Sequence, residues 1–212
     1  MATTAAPYGL KPVKRADGMA YAGATSQYLI DPAGEATNLF NGQVVHIGAD
    51  GYIALSTATG ADGTTNAFPT GTTLTGSLGV FMGVEYVDAT SGQLTFSQYY
   101  PSGTVAASGT AIKAFVVDDP NVLFQVQADG AMDQSDIGAN TFFAAAQSTS
   151  TGNTKTGNST SAVDATTVTT TAAFRIVAAA SPISDAFPDL LVKINPGFSS
   201  MTTPVALYGR LQ

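Results

Sequence analysis

The sequence predicts a mainly β protein, folded as a barrel or a sandwich with at most one short helix. Only 11% of the 212 residues are charged, so the Lys, Glu and Arg that usually cover long helices are scarce. Short apolar runs rich in Val, Thr and aromatic residues recur along the chain, and some alternate with polar residues at the period of a half-buried strand. The 22 Gly and 10 Pro residues separate these runs at spacings typical of an all-β domain.

Residues 1–27 are predicted to form an extended arm, and residues 28–212 the β-rich domain. Prolines and glycines interrupt any regular element in the first 23 residues, between separated apolar side chains. A frayed terminus is the simpler interpretation of such a segment. We nevertheless expect the arm to order against a neighbouring protein, because three of the eight basic residues lie within it. The residues expected to make this contact are Tyr8, Leu10, Lys11, Lys14 and Arg15.

The clearest local element is a hairpin between residues 43 and 55. An Asp50-Gly51 pair separates two apolar runs, which is a strong hairpin signal. Further strands are expected at residues 27–31, 78–87, 93–100, 111–117, 122–127, 174–178 and 190–194.

One helix and two loops complete this prediction. Residues 133–147 are the single helix candidate, with Ser135 as a possible cap and Gly138 as a weakness. Residues 56–78 and 148–162 are rich in Ser, Thr, Gly and Asn, and they are expected to form surface loops.

Charge and composition argue against several functions. The net charge is −7 and no basic residue lies between Arg15 and Lys113, so nucleic-acid binding is not expected. Without cysteine there is no disulfide, thiolate metal site or Cys nucleophile. We expect no membrane span and no signal peptide, because no run of about 20 apolar residues is present and the first residues lack a basic start.

The residues that could support catalysis or metal binding are few. The single histidine, His46, lies in a predicted strand, and no Gly-x-Ser-x-Gly motif accompanies it. Asp118 and Asp119 precede Pro120, which favours a turn at the end of a strand as the first interpretation. A calcium site is the second interpretation and a pair of hydrolytic carboxylates the last, because neighbouring side chains on a strand point to opposite faces. We therefore expect a protein that is not an enzyme and that has no cofactor.

Several strings resemble the capsid decoration, or cement, proteins of tailed bacteriophages, especially those of marine and freshwater bacteria. They are ATTAAPYGLKP at 2–12, ATNLFNGQVV at 36–45, GVFMG at 79–83, FSQYYP at 96–101, AFVVDDP at 114–120 and FQVQ at 124–127. The resemblance implies a jelly roll or a lambda-type decoration barrel. It also implies a non-catalytic protein on the outer capsid surface, commonly trimeric, which clamps neighbouring major capsid protein subunits.

The alternative is a virion-surface module that binds a host receptor or glycan. Such a module would need an exposed aromatic platform, and Tyr99-Tyr100 is the candidate pair. The simpler interpretation of this pair is a strand end with one ring buried.

Overall fold

The computed structural model describes residues 4–48, 50–56, 77–145, 152–169 and 172–195. Within these ranges the chain forms eleven strands in two antiparallel sheets. The mainly β prediction is confirmed, and the two sheets are compatible with a sandwich, with no closed barrel among the described residues. The strands are β1 (Lys11–Arg15), β2 (Ser26–Ile30), β3 (Val44–Ile47), β4 (Ile53–Leu55), β5 (Gly79–Val87), β6 (Leu94–Ser97), β7 (Ile112–Val117), β8 (Val122–Gln127), β9 (Asn140–Thr141), β10 (Phe174–Ala179) and β11 (Asp189–Ile194).

The smaller sheet has the order β1-β8-β11-β10-β9. Phe124, Ile176 and Val192 lie on the face that is turned towards the core, whereas Gln125, Arg175 and Lys193 lie on the outer face. The buried face forms the core between the two sheets. The first and last described strands, β1 and β11, both lie next to β8 in this sheet.

The larger sheet has the order β2-β7-β5-β3-β4, and β6 pairs with the second half of β5. At its centre both faces are buried. Val80 and Val117 contribute to the core between the sheets, whereas their neighbours Phe81 and Val116 contribute to a second core on the opposite face. Burial on both sides explains why these strands are continuous apolar runs in the sequence.

The predicted hairpin is confirmed as β3 and β4, joined by a turn in which Gly51 has a positive φ. The predicted helix is wrong. Only Gln134–Asp136 form a single 3-10 turn, which the Asp136 carboxylate closes by accepting a hydrogen bond from the Asp133 N–H at 2.8 Å. Asn140–Thr141 then pair with β10, because burial of the following aromatic rings in the core outweighs local helix propensity. Residues 146 and 147 lie outside the described residues.

The two predicted loops differ in outcome. Residues 57–76 of the first lie outside the described residues, and the end of that segment, Ser77 and Leu78, is buried. The second was expected at the surface, but Ser159 and Ser161 are each only 1% exposed. Their burial follows from pairing with distant segments, since the Ser159 N–H donates to the Asn41 carbonyl. The prediction of a surface loop is therefore wrong for this part.

The predicted arm is also wrong as a separate unit. Residues 11–15 form β1 at the edge of the smaller sheet, and Leu10 is fully buried in the core. The Leu10 N–H donates to the Gly42 carbonyl at 3.0 Å. In addition, the boundary placed after residue 27 cuts through β2. Residues 4–27 thus belong to the domain, because apolar side chains at these positions complete its core.

Candidate protein-contact surfaces

The outer face of the smaller sheet carries basic side chains from three strands. Lys14 lies opposite Leu123 on β8, and Arg175 on β10 lies opposite Lys193 on β11. Arg175 and Lys193 alternate with core residues on their own strands, and Lys11 and Lys14 pair with positions of β8 that alternate with core residues. All four residues therefore lie on the side of the sheet away from the core. We call the set the basic face, and its members are Lys11, Lys14, Arg175 and Lys193.

A bulge in β1 places both N-terminal lysines on this face. Lys11 pairs with Gln125 and Lys14 with Leu123, and the register shifts between Pro12 and Lys14. Residues three apart on a regular strand would point to opposite faces. Because Val13 is the extra residue at the bulge, the two lysines instead lie beside alternate residues of β8.

The basic face differs strongly from the rest of the molecule. It holds four of the eight Lys and Arg residues of a chain whose net charge is −7. The one carboxylate that we place on it is Asp189, which accepts a hydrogen bond from the Tyr8 hydroxyl at 2.8 Å. A net positive face on an acidic protein suits an acidic partner surface.

A second surface lies where the larger sheet is covered on only one side. Val117 on β7 faces the smaller sheet and is buried, and Lys113, four residues before it on the same strand, projects from the same face. Lys113 lies between Glu85 and Leu29, and Glu85 lies opposite Phe96. We call this uncovered part of the sheet the open face, and its members are Leu29, Glu85, Val87, Leu94, Phe96 and Lys113.

Large apolar side chains on the open face are exposed to solvent. Phe96 is 66% exposed, Leu94 55% and Leu29 47%. The charged residues Glu85 and Lys113 form an ion pair at 3.6 Å, and strands β2, β5, β6 and β7 contain no other charged residue. The open face is therefore electrically neutral and rich in apolar area, which is typical of a protein interface.

The two edges nearest these faces differ in their protection. Strand β1 carries Lys11, Lys14, a proline and a bulge, all of which hinder pairing with a further strand. Strand β6 has the sequence LTFS, and among the described strands it pairs only with β5. It has neither charge nor proline, so its free edge is open to contact with another protein.

A cleft of about 110 Å³ lies across the sheet from β6. It is lined by Leu29, Ile30, Pro32, Tyr52, Thr110 and Ala111. Leu29 belongs both to this cleft and to the open face, so the two are continuous. Phe96 and Leu29 occupy one cross-strand row, with only Glu85 and Lys113 between them.

The residues expected to form the contact have separate environments. Tyr8 and Lys11 lie together, with the Lys11 Nζ 4.3 Å from the centre of the Tyr8 ring. Burial, and then the hydrogen bond to Asp189, raise the pKa of Tyr8. Arg15 points elsewhere and lies 3.4 Å from Asp17 and 3.6 Å from Asp119. Leu10 is buried and cannot contact a partner, so its assignment as a contact residue is wrong.

The two neighbouring carboxylates have structural partners. The Tyr28 hydroxyl donates to Asp118 at 2.8 Å, and burial together with this bond raises the pKa of Tyr28 to about 12. Asp119 accepts a hydrogen bond from the Asn121 N–H at 2.8 Å, as expected for a turn. Among the described residues, no group of three His, Asp or Glu side chains is arranged to hold a metal ion.

His46 and the tyrosine pair complete the predicted sites. His46 is 8% exposed in β3, and desolvation by burial lowers its pKa. Tyr100 is fully buried and donates from its hydroxyl to the Thr104 carbonyl. Tyr99 is half-buried and stacks on Phe40 with the ring centres 5.5 Å apart. The pair thus has one ring buried and does not present two faces to a sugar.

Sequence reasoning missed the open face and half of the basic face. Leu94 and Phe96 alternate with polar residues, and such a pattern normally places the apolar side chains inside. One signal was available, because no charged residue lies between Asp88 and Lys113. A strand within so long an uncharged segment has no charged side chain that would hinder the pairing of its edge with another protein.

Comparisons of the chain with protein-family models, with curated proteins and with solved structures found no match. Among the described residues, no helix has the length and hydropathy needed to cross a membrane.

Proposed function

We propose that this protein is a non-enzymatic virion component that binds the outer surface of an assembled icosahedral capsid and cements neighbouring major capsid protein subunits. It acts as a homo-oligomer, with a trimer as the expected form. The basic face is the observation that carries this proposal. It concentrates four basic side chains on the outer face of one sheet of an acidic chain.

The resemblance to decoration proteins supports the choice of a capsid as partner. Its strings at 36–45, 79–83 and 114–120 fall in or beside β3, β5 and β7, at the centre of the larger sheet. The string at 2–12 leads into β1 and ends beside the lysines of the basic face. The residues that carry the resemblance therefore build the core and position one of the two contact surfaces.

The energetic basis of the function is contact area rather than a reaction. A protein that binds the assembled shell and not its free subunits stabilises the shell by mass action. Each oligomer that touches several subunits adds avidity, because the second contact forms at a high effective concentration. Charge complementarity between the basic face and acidic capsid side chains would orient the protein and speed its association.

The experiment is co-sedimentation of charge variants with purified empty capsids. We expect the double variant Lys11→Glu/Lys14→Glu to weaken capsid binding at least about tenfold, with a smaller salt dependence than the wild type. The matched control is Lys155→Glu, which reverses an exposed lysine outside both surfaces and should change binding less than about twofold. Equal binding by all variants would rule out the basic face as the capsid contact.

Two other partners are outcomes of the same experiment. Retention of double-stranded DNA by the wild type, lost in the double variant, would indicate a nucleic-acid surface instead. Binding to a glycan array without binding to capsids would favour the receptor-binding alternative.

A further inference from the structure

We infer that the open face is the surface by which copies of this chain join, and that Phe96 of one copy enters the cleft beside Leu29 and Tyr52 of the next. This inference deepens the proposed function, since it names the contact that would hold the oligomer together. It does not depend on the capsid as partner.

The first argument is that the same face carries a projection and a recess. Phe96 and Leu94 project from β6 at one edge of the sheet, and they are the more exposed apolar residues of the open face. The cleft lies at the opposite edge, beside β2, and its volume of about 110 Å³ suits one large apolar side chain. The walls are themselves apolar, with Leu29, Pro32 and Tyr52 among them. A projection and a recess at opposite ends of one cross-strand row allow a head-to-tail contact between copies.

The second argument is electrostatic. The chain carries a net charge of −7, so two copies repel each other over most of their surfaces. The open face is an exception, because the Glu85–Lys113 pair cancels and the four strands that form it bear no other charge. A second copy can approach this face without an electrostatic penalty, and a strongly charged partner would gain nothing from it.

The third argument concerns the strand edges. A partner that approached the basic face would meet the lysines, proline and bulge of β1. At the open face the partner meets β6 and β2, whose sequences LTFS and SQYLI contain no charged residue and no proline. At the two ends of the open face, β2 and β6 thus lack the charges and the proline that protect β1, and a head-to-tail contact would cover both ends at once.

A head-to-tail contact has a defined consequence for assembly. Each copy uses two different patches, so the contact can be satisfied everywhere only in a closed ring. A symmetric contact, in which β6 of one copy pairs with β6 of another, would instead stop at a dimer and leave the cleft empty. These two arrangements bring different residues together, which allows them to be told apart.

The experiment uses disulfide trapping of the free protein, which contains no natural cysteine. The variants Leu94→Cys and Thr110→Cys each place one thiol beside the projection or the cleft while keeping Phe96 and Tyr52. Mixed at micromolar concentration under mild oxidation, they should give a heterodimer at least about ten times faster than Leu94→Cys mixed with Lys155→Cys. Homodimers of Leu94→Cys formed at that rate would show a symmetric contact and overturn the inference. Equal, slow trapping in every mixture would overturn self-association through this face.

Light scattering provides a second and independent measurement. We expect the wild type to have a mass that is a multiple of 21.5 kDa, and Phe96→Ser to dissociate at concentrations at least about tenfold higher. The control Val177→Ser removes another exposed apolar side chain, 41% exposed and outside the open face, and should keep the wild-type mass. Both residues are exposed, so both variants should retain the wild-type thermal midpoint. An unchanged mass for Phe96→Ser would contradict the inference.

Self-association through the open face can be tested separately from capsid binding through the basic face. Lys11→Glu/Lys14→Glu should self-associate like the wild type, because neither lysine lies on the open face. A loss of capsid binding in that variant with normal assembly would support the basic face alone. A monomeric wild type that still binds capsids would support capsid binding but overturn both this inference and the proposal of a homo-oligomer in solution.

Discussion

The Tyr8 hydroxyl donates a hydrogen bond of 2.8 Å to Asp189, a residue 181 positions further along the chain. Asp189 begins β11, so this bond fastens the N-terminal segment to the last described strand. The same carboxylate accepts a second hydrogen bond from the Gln125 side chain at 3.3 Å. This arrangement shows that the first residues contribute to the stability of the domain.

Removal of this bond should destabilise the protein. Tyr8→Phe leaves one oxygen of a partly buried carboxylate without its partner, and we expect a loss of about 1–2 kcal/mol in the free energy of unfolding. Tyr21→Phe is the control, because the Tyr21 hydroxyl bonds locally to the Ala24 carbonyl at an exposed position, and should cost less than about 0.5 kcal/mol. Urea denaturation measures both, and equal effects would contradict a stabilising role for the Tyr8–Asp189 bond.

Leu10 tests directly whether residues 4–27 are an arm or part of the domain. Its side chain is fully buried in the core between the sheets. We expect Leu10→Ala to lower the free energy of unfolding by about 2–5 kcal/mol, the range for a large buried side chain. Val13→Ala, at a 42% exposed position three residues away, should have little effect. A stable Leu10→Ala variant would restore the interpretation as a free arm.

Gly42 should tolerate no side chain because of its close contact with Leu10, and a comparison with Gly18 separates this effect from backbone strain. Its φ is +87°, and a Cβ would lie 2.9 Å from the backbone nitrogen of Leu10. Gly18 has nearly the same φ, +88°, but nothing lies within 4 Å of an added Cβ. Both alanine variants incur the left-handed backbone strain of about 1–2 kcal/mol. We expect Gly42→Ala to lose at least about 1 kcal/mol more, because the Leu10–Gly42 contact must open. Equal thermal midpoints would refute this close approach.

His46 should make stability depend on pH in a known direction. Burial lowers its folded pKa below the unfolded value of about 6.5, although Leu55, Glu35 and Asp50 partly oppose the shift. The unfolded chain therefore binds the proton more readily, so stability is complete above about pH 6.5 and falls as the pH decreases. The slope cannot exceed about 1.4 kcal/mol per pH unit for one group.

The comparison variant is His46→Gln, measured by urea denaturation between pH 7.5 and 5.5. This interval lies above the titration of ordinary carboxylates. Since the chain has one histidine, the variant should lose most of the dependence. A wild type whose stability rises as the pH falls would contradict the sign of the shift.

Local chemistry made parts of the fold predictable. The Asp50-Gly51 pair defines a hairpin by itself, and the apolar runs of β5, β7 and β8 are long enough to show strands without further context. The helix expected at 133–147 does not form, because its aromatic residues pack against residues that are distant in the sequence. Phe143, for example, packs edge-on against Phe174 with ring centres 4.7 Å apart.

The contact surfaces were less predictable for a geometric reason. Lys11 and Lys14 were identified as contact residues, but Arg175 and Lys193 join them only through strand pairing across more than 150 positions. No pattern in the sequence predicts the bulge that brings the two lysines to one face. Phe96 was assigned to a strand without any indication that its face would remain uncovered, because coverage depends on where the smaller sheet ends.

The position of β1 and β11 on either side of β8 has a mechanical consequence. Both strands run antiparallel to β8, so they point in the same direction. Tension applied between the start of β1 and the end of β11 therefore acts along the strands and pulls them past β8 in opposite directions. Ladder hydrogen bonds lie across the strand axis, so they share such a load together instead of breaking one after another. A sheet connected in this way resists stretching of the chain between these points.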